Sequence, residues 1–124
     1  MNGSKIFADT NILLYFLNGE EDVIEILSNK EIFISFVSEL EMLSYPNISP
    51  DSEKIINDFL SQCSIININN EIKQATISLR KKYNLKLPDS IIAASASVLN
   101  FPILTADQQF RKIKSLEIIL YEPN

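Results

Sequence analysis

Histidine is absent from this chain, and cysteine occurs once, at Cys63. Without an imidazole, general acid–base chemistry of the histidine type is excluded, and a zinc site built from Cys and His has too few donors. One thiol cannot close an intramolecular disulfide. Cys63 stands between an amphipathic helix and a strand and reads as a small core residue rather than a reactive one. No apolar run approaches the roughly 20 residues of a membrane-spanning helix. No linker or internal repeat interrupts the chain, and the opening Met-Asn-Gly-Ser-Lys meets a strand at once. These absences predict a cytoplasmic protein with no signal peptide and no membrane partner. What remains is 124 residues, 46% of them hydrophobic, enough for one domain over residues 1–124 with a real core.

The pattern of apolar residues then alternates between the two common periods. Lys5–Ala8 reads as a strand, and Thr10–Leu17 as a helix stopped by Asn18-Gly19. A helix near Glu21–Ser28, a strand at Ile32–Ser35 and a helix over Val37–Tyr45 with Ser35 as N-cap come next. Ser49-Pro50-Asp51 starts a helix running to about Gln62, ahead of a strand at Ser64–Asn67. Glu71–Tyr83 forms a helix with Ile72, Ala75, Thr76, Leu79 and Tyr83 on one face. Pro88 opens an apolar helix, Phe101–Asp107 holds a short strand, Gln108–Ile113 is helix-like, and Leu116–Leu120 is a last strand. Such alternation predicts an α/β fold on a mostly parallel sheet. Phe7, Phe33 and Phe59 read as core rather than as platforms for stacking.

Four acidic residues fall at the joints of this pattern. Asp9 closes the first strand and opens the helix after it, which suits either a helix cap or a ligand crevice at a strand's carboxyl end. Asp107 repeats that placement after Phe101–Ala106, with the same two meanings. Glu41 follows an i, i+3, i+4, i+7 pattern with Val37, Leu40 and Ser44, so it is expected on an inward face, with Glu39 a solvated charge elsewhere. A carboxylate so placed needs a metal or a buried basic partner. Asp89 sits in the first turn after Pro88, where the helix dipole favours it. It also aligns with Ile92, Ala93 and Ala96 at the inner edge of that helix. Taken together, Asp9, Glu41, Asp89 and Asp107 read as an all-oxygen pocket for a hard divalent cation.

Phe7-Ala8-Asp9-Thr10-Asn11, Ser35 with Glu41, Leu87-Pro88-Asp89-Ser90-Ile91-Ile92-Ala93-Ala94 and Leu104-Thr105-Ala106-Asp107 resemble the ordered motifs of PIN-domain proteins, most of all VapC-type toxin ribonucleases. The resemblance spans essentially the whole chain and rests on the order and spacing of the four motifs. It implies a three-layer α/β/α fold around a parallel sheet of about five strands. It also implies a magnesium- or manganese-dependent endoribonuclease, neutralised by a small antitoxin and acting as a homodimer. The family's metal-binding acids fall on Asp9, Glu41, Asp89 and Asp107, and its supporting polar residues on Asn11 and Thr105. Gln108-Gln109 stand where many relatives carry a further acid, which weakens the expectation of a second metal.

Other functions remain open at this stage: an RNA-maturation nuclease outside any toxin system, or a PIN-like module that binds RNA or protein without cutting. A receiver domain lacks support, because the paired acids at the end of the first strand are missing. A haloacid-type phosphatase needs an acid two residues after Asp9, where Asn11 stands. The net charge of −5 is unevenly spread. Residues 1–72 carry 3 basic and 12 acidic side chains, and residues 73–114 carry 8 and 2. Lys73, Arg80, Lys81, Lys82, Lys86, Arg111, Lys112 and Lys114 form either a solvated face or a set of RNA phosphate contacts.

Overall fold

The computed structural model describes residues 4–123. In chain order the elements are β1 (Lys5–Ala8), α1 (Thr10–Leu17), α2 (Glu21–Leu27), β2 (Glu31–Ser35), α3 (Phe36–Leu43) and α4 (Pro50–Leu60). β3 (Ser64–Ile66), α5 (Asn70–Lys82), α6 (Leu87–Leu99), β4 (Ile103–Thr105), a 3₁₀ turn at Gln108–Lys112 and β5 (Ile118–Leu120) complete the order.

The strands lie in the order β3-β2-β1-β4-β5, and every pairing is parallel. Strand side chains alternate across the sheet, and this alternation divides the core in two. Ile6, Ala8, Ile34 and Leu104 pack on one face beneath α1, α2 and α4, through Ile12, Leu13, Val23, Leu27, Ile56 and Phe59. Phe7 and Ile103 face the other side, beneath α5 and α6, through Ile72, Leu79, Ile92, Ala93 and Ala96. The result is the α/β/α layering expected from the sequence. β1 lies at the centre, and the chain leaves it in opposite directions to build the two halves of the sheet. A crevice at the strands' carboxyl ends is the usual place for a ligand in such sheets.

Local chemistry sets the element boundaries. Ser49 caps α4 by accepting a hydrogen bond from the Ser52 N–H at 3.1 Å, with Pro50 at the first helical position. α1 ends in a Schellman turn: Gly19 N–H bonds Phe16 C=O at 3.1 Å and Glu20 N–H bonds Tyr15 C=O at 3.0 Å. Gly19 has φ +83°, a backbone region that glycine enters without steric cost. On α5, Ile72, Thr76 and Leu79 are buried while Ala75 and Tyr83 are half-buried, matching the face expected from spacing. Phe7 and Phe59 are buried, and Phe33 packs tilted on Phe101 with ring centroids 4.7 Å apart. Cys63 is half-buried with its thiol pushed up to about 11 by burial, consistent with a packing role.

Four expectations need adjustment. The helix-like stretch after Asp107 is a 3₁₀ turn rather than an α-helix, and β5 spans three residues instead of five. Asn67 lies outside β3. The fourth adjustment concerns α3. Val37 is buried as expected, but Leu40 is 58% exposed, and Glu41 and Ser44 are exposed with it. The buried residues of this helix are Val37, Ser38 and Met42. Val37 belongs to the core beneath α5 and α6, whereas Met42 belongs to the core beneath α1, α2 and α4. A short helix that feeds both cores has no single buried stripe, so one helical period cannot describe it.

Candidate metal centre

Asp9 reaches the site from the end of β1, where its N–H bonds the Leu104 carbonyl at 3.2 Å and ties β1 to β4. Its side chain caps α1, with Oδ1 accepting from the Ile12 N–H at 3.1 Å. Oδ2 accepts from the hydroxyl of Thr105, a fully buried residue on β4. The same Thr105 oxygen accepts from the Asp107 N–H at 3.0 Å. Asp107 Oδ1 then accepts from the Gln109 N–H at 2.9 Å and opens the 3₁₀ turn. Both strand-end aspartates therefore cap the turns that follow them. One Thr105 hydroxyl, expected as a supporting residue, bonds the side chain of Asp9 and the N–H of Asp107.

Glu41 comes from α3. Its Oε1 accepts from the Thr10 hydroxyl at 2.7 Å, and the Thr10 and Ser38 hydroxyls are 2.8 Å apart. Sequence reasoning assigns no role to Thr10 or Ser38. The signals are present, however: Thr10 adjoins Asp9, and Ser38 lies one helical turn before Glu41. Asp89 is half-buried in the first turn of α6, and its carboxylate has no hydrogen-bond partner among the described residues. Asn11 lines the same cavity but makes no side-chain hydrogen bond to the acids among the described residues.

Asp9, Glu41, Asp89 and Asp107 line one cavity of about 150 Å³, with Thr10 and Asn11 adding polar groups and Leu14, Ile92 and Tyr45 apolar walls. Among the described residues the only ion pair is Lys54 with Asp58 on the exposed face of α4, so none of the four acids is ion-paired. Burial pushes the Asp9 carboxyl up to about 6, opposed by the hydrogen bonds from Thr105 and Ile12 and reinforced by the charges of Asp107 and Asp89. Asp89 is also raised, by burial first, then by Asp107 and Glu41, while Lys86 opposes. An unpaired carboxylate this deeply placed is costly without a counter-charge.

Among the described residues no three carboxylates close into a tight ligand cage. Magnesium does not require one, because it retains several waters and takes one or two carboxylates directly. The donor set is all oxygen, has no ion-paired cation among the described residues and keeps lone pairs free on each acid, so these residues fit a hard divalent ion. The eight basic side chains of residues 73–114 are all exposed; they lie on α5, at the N-cap of α6 and along the 3₁₀ turn and the residue after Ile113.

The family model for the PIN domain matches residues 6–116. The chain is 30% identical to Ribonuclease VapC2 of Methanocaldococcus jannaschii, over 96% of this chain and 95% of that protein. A toxin–antitoxin complex from Klebsiella pneumoniae superposes with a TM-score of 0.82 at 29% identity, covering 95% of this chain and 99% of that one. VapBC2 from Rickettsia felis, bound to a DNA fragment from its promoter, gives a TM-score of 0.81 at 23% identity over 95% and 99% of the two chains. With the motif acids gathered at the carboxyl end of a parallel sheet, and a family model spanning nearly all of the chain, this protein belongs to the PIN domain family and is a homologue of the VapC ribonucleases.

Proposed function

We propose that this chain is a divalent-metal-dependent endoribonuclease, the toxin of a toxin–antitoxin pair, with magnesium or manganese held by Asp9, Glu41, Asp89 and Asp107. The observation that carries this proposal is the meeting of four carboxylates from β1, α3, α6 and the end of β4 in one cavity with no cation partner among the described residues. A phosphodiester cannot approach such a cluster against its negative charge unless that charge is offset. A hard cation bound there offsets it, and lowers the pKa of water enough to supply a nucleophile at neutral pH.

The chain's own residues divide the remaining work. Thr105 holds Asp9 and Asp107 in a fixed relation across β1 and β4. Thr10 and Ser38 hold Glu41 toward the cavity. Asp89, whose carboxylate accepts no hydrogen bond among the described residues, is free to turn toward whatever binds. With no histidine in the chain, only carboxylates and water remain to move protons near neutral pH.

The solved relatives named above support an antitoxin partner, one being described as a toxin–antitoxin complex. An apolar groove beside the cavity, with Leu14, Leu17, Ile48, Ile55 and Ile56 in its walls, offers a protein segment a place to pack. The decisive experiment compares the purified protein with Asp9→Asn on total RNA, in magnesium, in manganese and in chelator. Cleavage that requires metal and vanishes in the variant is expected. Cleavage by both proteins in chelator refutes the proposal, and cleavage by neither, once a co-purified inhibitor is excluded, favours a module that binds without cutting.

A further inference from the structure

The cavity has one aromatic wall. Tyr45 lines it beside Glu41 and also lines the apolar groove, so the ring stands on the ridge between the two. It is 53% exposed. Tyr15 and Tyr121 contact each other edge to face, and Tyr83 lies under the ammonium of Lys82, whereas the Tyr45 ring has no such partner among the described residues. A half-exposed tyrosine at the mouth of a site offers a large planar apolar face, the kind of surface by which aromatic residues make contacts at interfaces.

The backbone beneath this ring is fixed. Tyr45-Pro46-Asn47-Ile48 is a turn closed by the Ile48 N–H on the Tyr45 carbonyl at 3.3 Å. Proline stands at its second position and Asn47, with φ +62°, at its third, which is the pattern of a type II turn. The turn follows directly on α3, the helix that carries Glu41. One short rigid unit therefore presents both an acid of the cavity and, four residues on, an exposed aromatic face.

From this juxtaposition we propose that Tyr45 is a positioning residue that stacks on the base of the nucleotide next to the scissile phosphate. The inference rests on the nuclease function proposed above. A phosphate seated over the four acids places its neighbouring base over a wall of the cavity, and Tyr45 is the one wall residue with a planar face. Stacking on an exposed ring tolerates any base and requires the base to be unpaired. The substrate is accordingly a single-stranded segment, held by a flat contact on the α3 side of the cavity.

The chain contains no tryptophan, so Tyr45→Trp introduces a single indole reporter. With Asp9→Asn in the same chain to prevent cleavage, and magnesium present, a short single-stranded oligoribonucleotide is expected to quench the indole emission. The same oligonucleotide with an abasic ribose at the flanking position is expected to quench it far less. In cleavage assays Tyr45→Ala should lower kcat/KM on the order of tenfold, mainly through KM, while Tyr45→Phe stays near the parent. Unchanged kinetics in Tyr45→Ala together with unquenched indole overturn the proposal while leaving metal-dependent cleavage, and so the nuclease function, standing. If Tyr45→Ala weakens only the grip of a co-expressed partner protein and leaves RNA kinetics intact, the ring belongs to a protein interface and the proposal also fails. Quenching that depends on the base, in a protein that never cleaves, supports the stacking contact and refutes the nuclease function instead.

Discussion

Asp9 and Asp107 enter the site from strand ends, and Glu41 and Asp89 enter it from helices. The strand-borne pair is locked: each caps the turn that follows it, and a single buried hydroxyl, Thr105, bonds both. The helix-borne pair is looser. Glu41 meets a hydroxyl at the cavity edge, and Asp89 meets no hydrogen-bond donor among the described residues. A site built this way has a rigid half and an adjustable half; under the proposed function the first would fix where a cation sits and the second would complete its coordination.

The comparison is broken most completely at Asp9. Asp9→Asn keeps the acceptor for the Ile12 N–H but removes the deepest negative charge, so cleavage should fall on the order of 10³-fold, measured on RNA in magnesium. The same variant has an opposite effect on the metal-free fold. Because the folded protein raises the Asp9 carboxyl from 3.8 to about 6, it binds that proton more tightly than the unfolded chain does. The resulting stability is fully present below pH 3.8 and is lost as pH rises through about 6. Above that range Asp9→Asn should be more stable than the parent by up to about 3 kcal/mol, seen as a higher urea midpoint in chelator. Added magnesium should reverse the order, since it stabilises only the chain that binds it.

Thr105→Val tests the rigid half without touching an acid. It leaves an oxygen of Asp9 and the N–H of Asp107 short of a partner, which should cost about 1–3 kcal/mol in denaturant unfolding. Metal affinity by calorimetry should weaken on the order of 10- to 100-fold. Thr10→Val is the matching change in the adjustable half. Its bond to Glu41 is exposed, but its bond to the buried Ser38 hydroxyl is not, so the expected loss of stability is about 1 kcal/mol, and the loss of affinity should be smaller than for Thr105→Val. Equal losses for the two threonines would erase the distinction. Gly19→Ala, remote from all four acids, should cost about 1 kcal/mol in thermal unfolding through its left-handed φ alone, with cleavage unchanged, because an added Cβ meets no atom within 4 Å.

Much of this was legible in the residues. Asp9 and Asp107 announce themselves by ending apolar runs, and their second role as caps is equally local. Asp89 is visible because α6 is so uniformly apolar that one acid at its inner edge stands out. Glu41 is the instructive case. Its place in the cavity agrees with the sequence, but the route there does not, since Val37, Leu40 and Ser44 do not share a buried face with it. Helical periodicity assumes one apolar environment, and α3 meets two cores and a cavity. Thr10 and Ser38 were hidden for a related reason: a hydroxyl pattern carries little information until its partner, 31 residues along for Thr10 and Glu41, is brought beside it.

By itself the sequence determined the order of elements, several of their caps and the placing of four acids at strand ends and on helices, because propensity, capping and period act within a few residues and need no distant partner. Tertiary structure alone decided that β1 lies at the centre of the sheet, that Thr105 reaches back across 96 residues to Asp9, and that α3 serves two cores. It likewise decided that Tyr45 stands half-exposed beside the acids rather than inside the fold. These are matters of which surfaces exclude water together, and that is settled only when the layers close on the sheet.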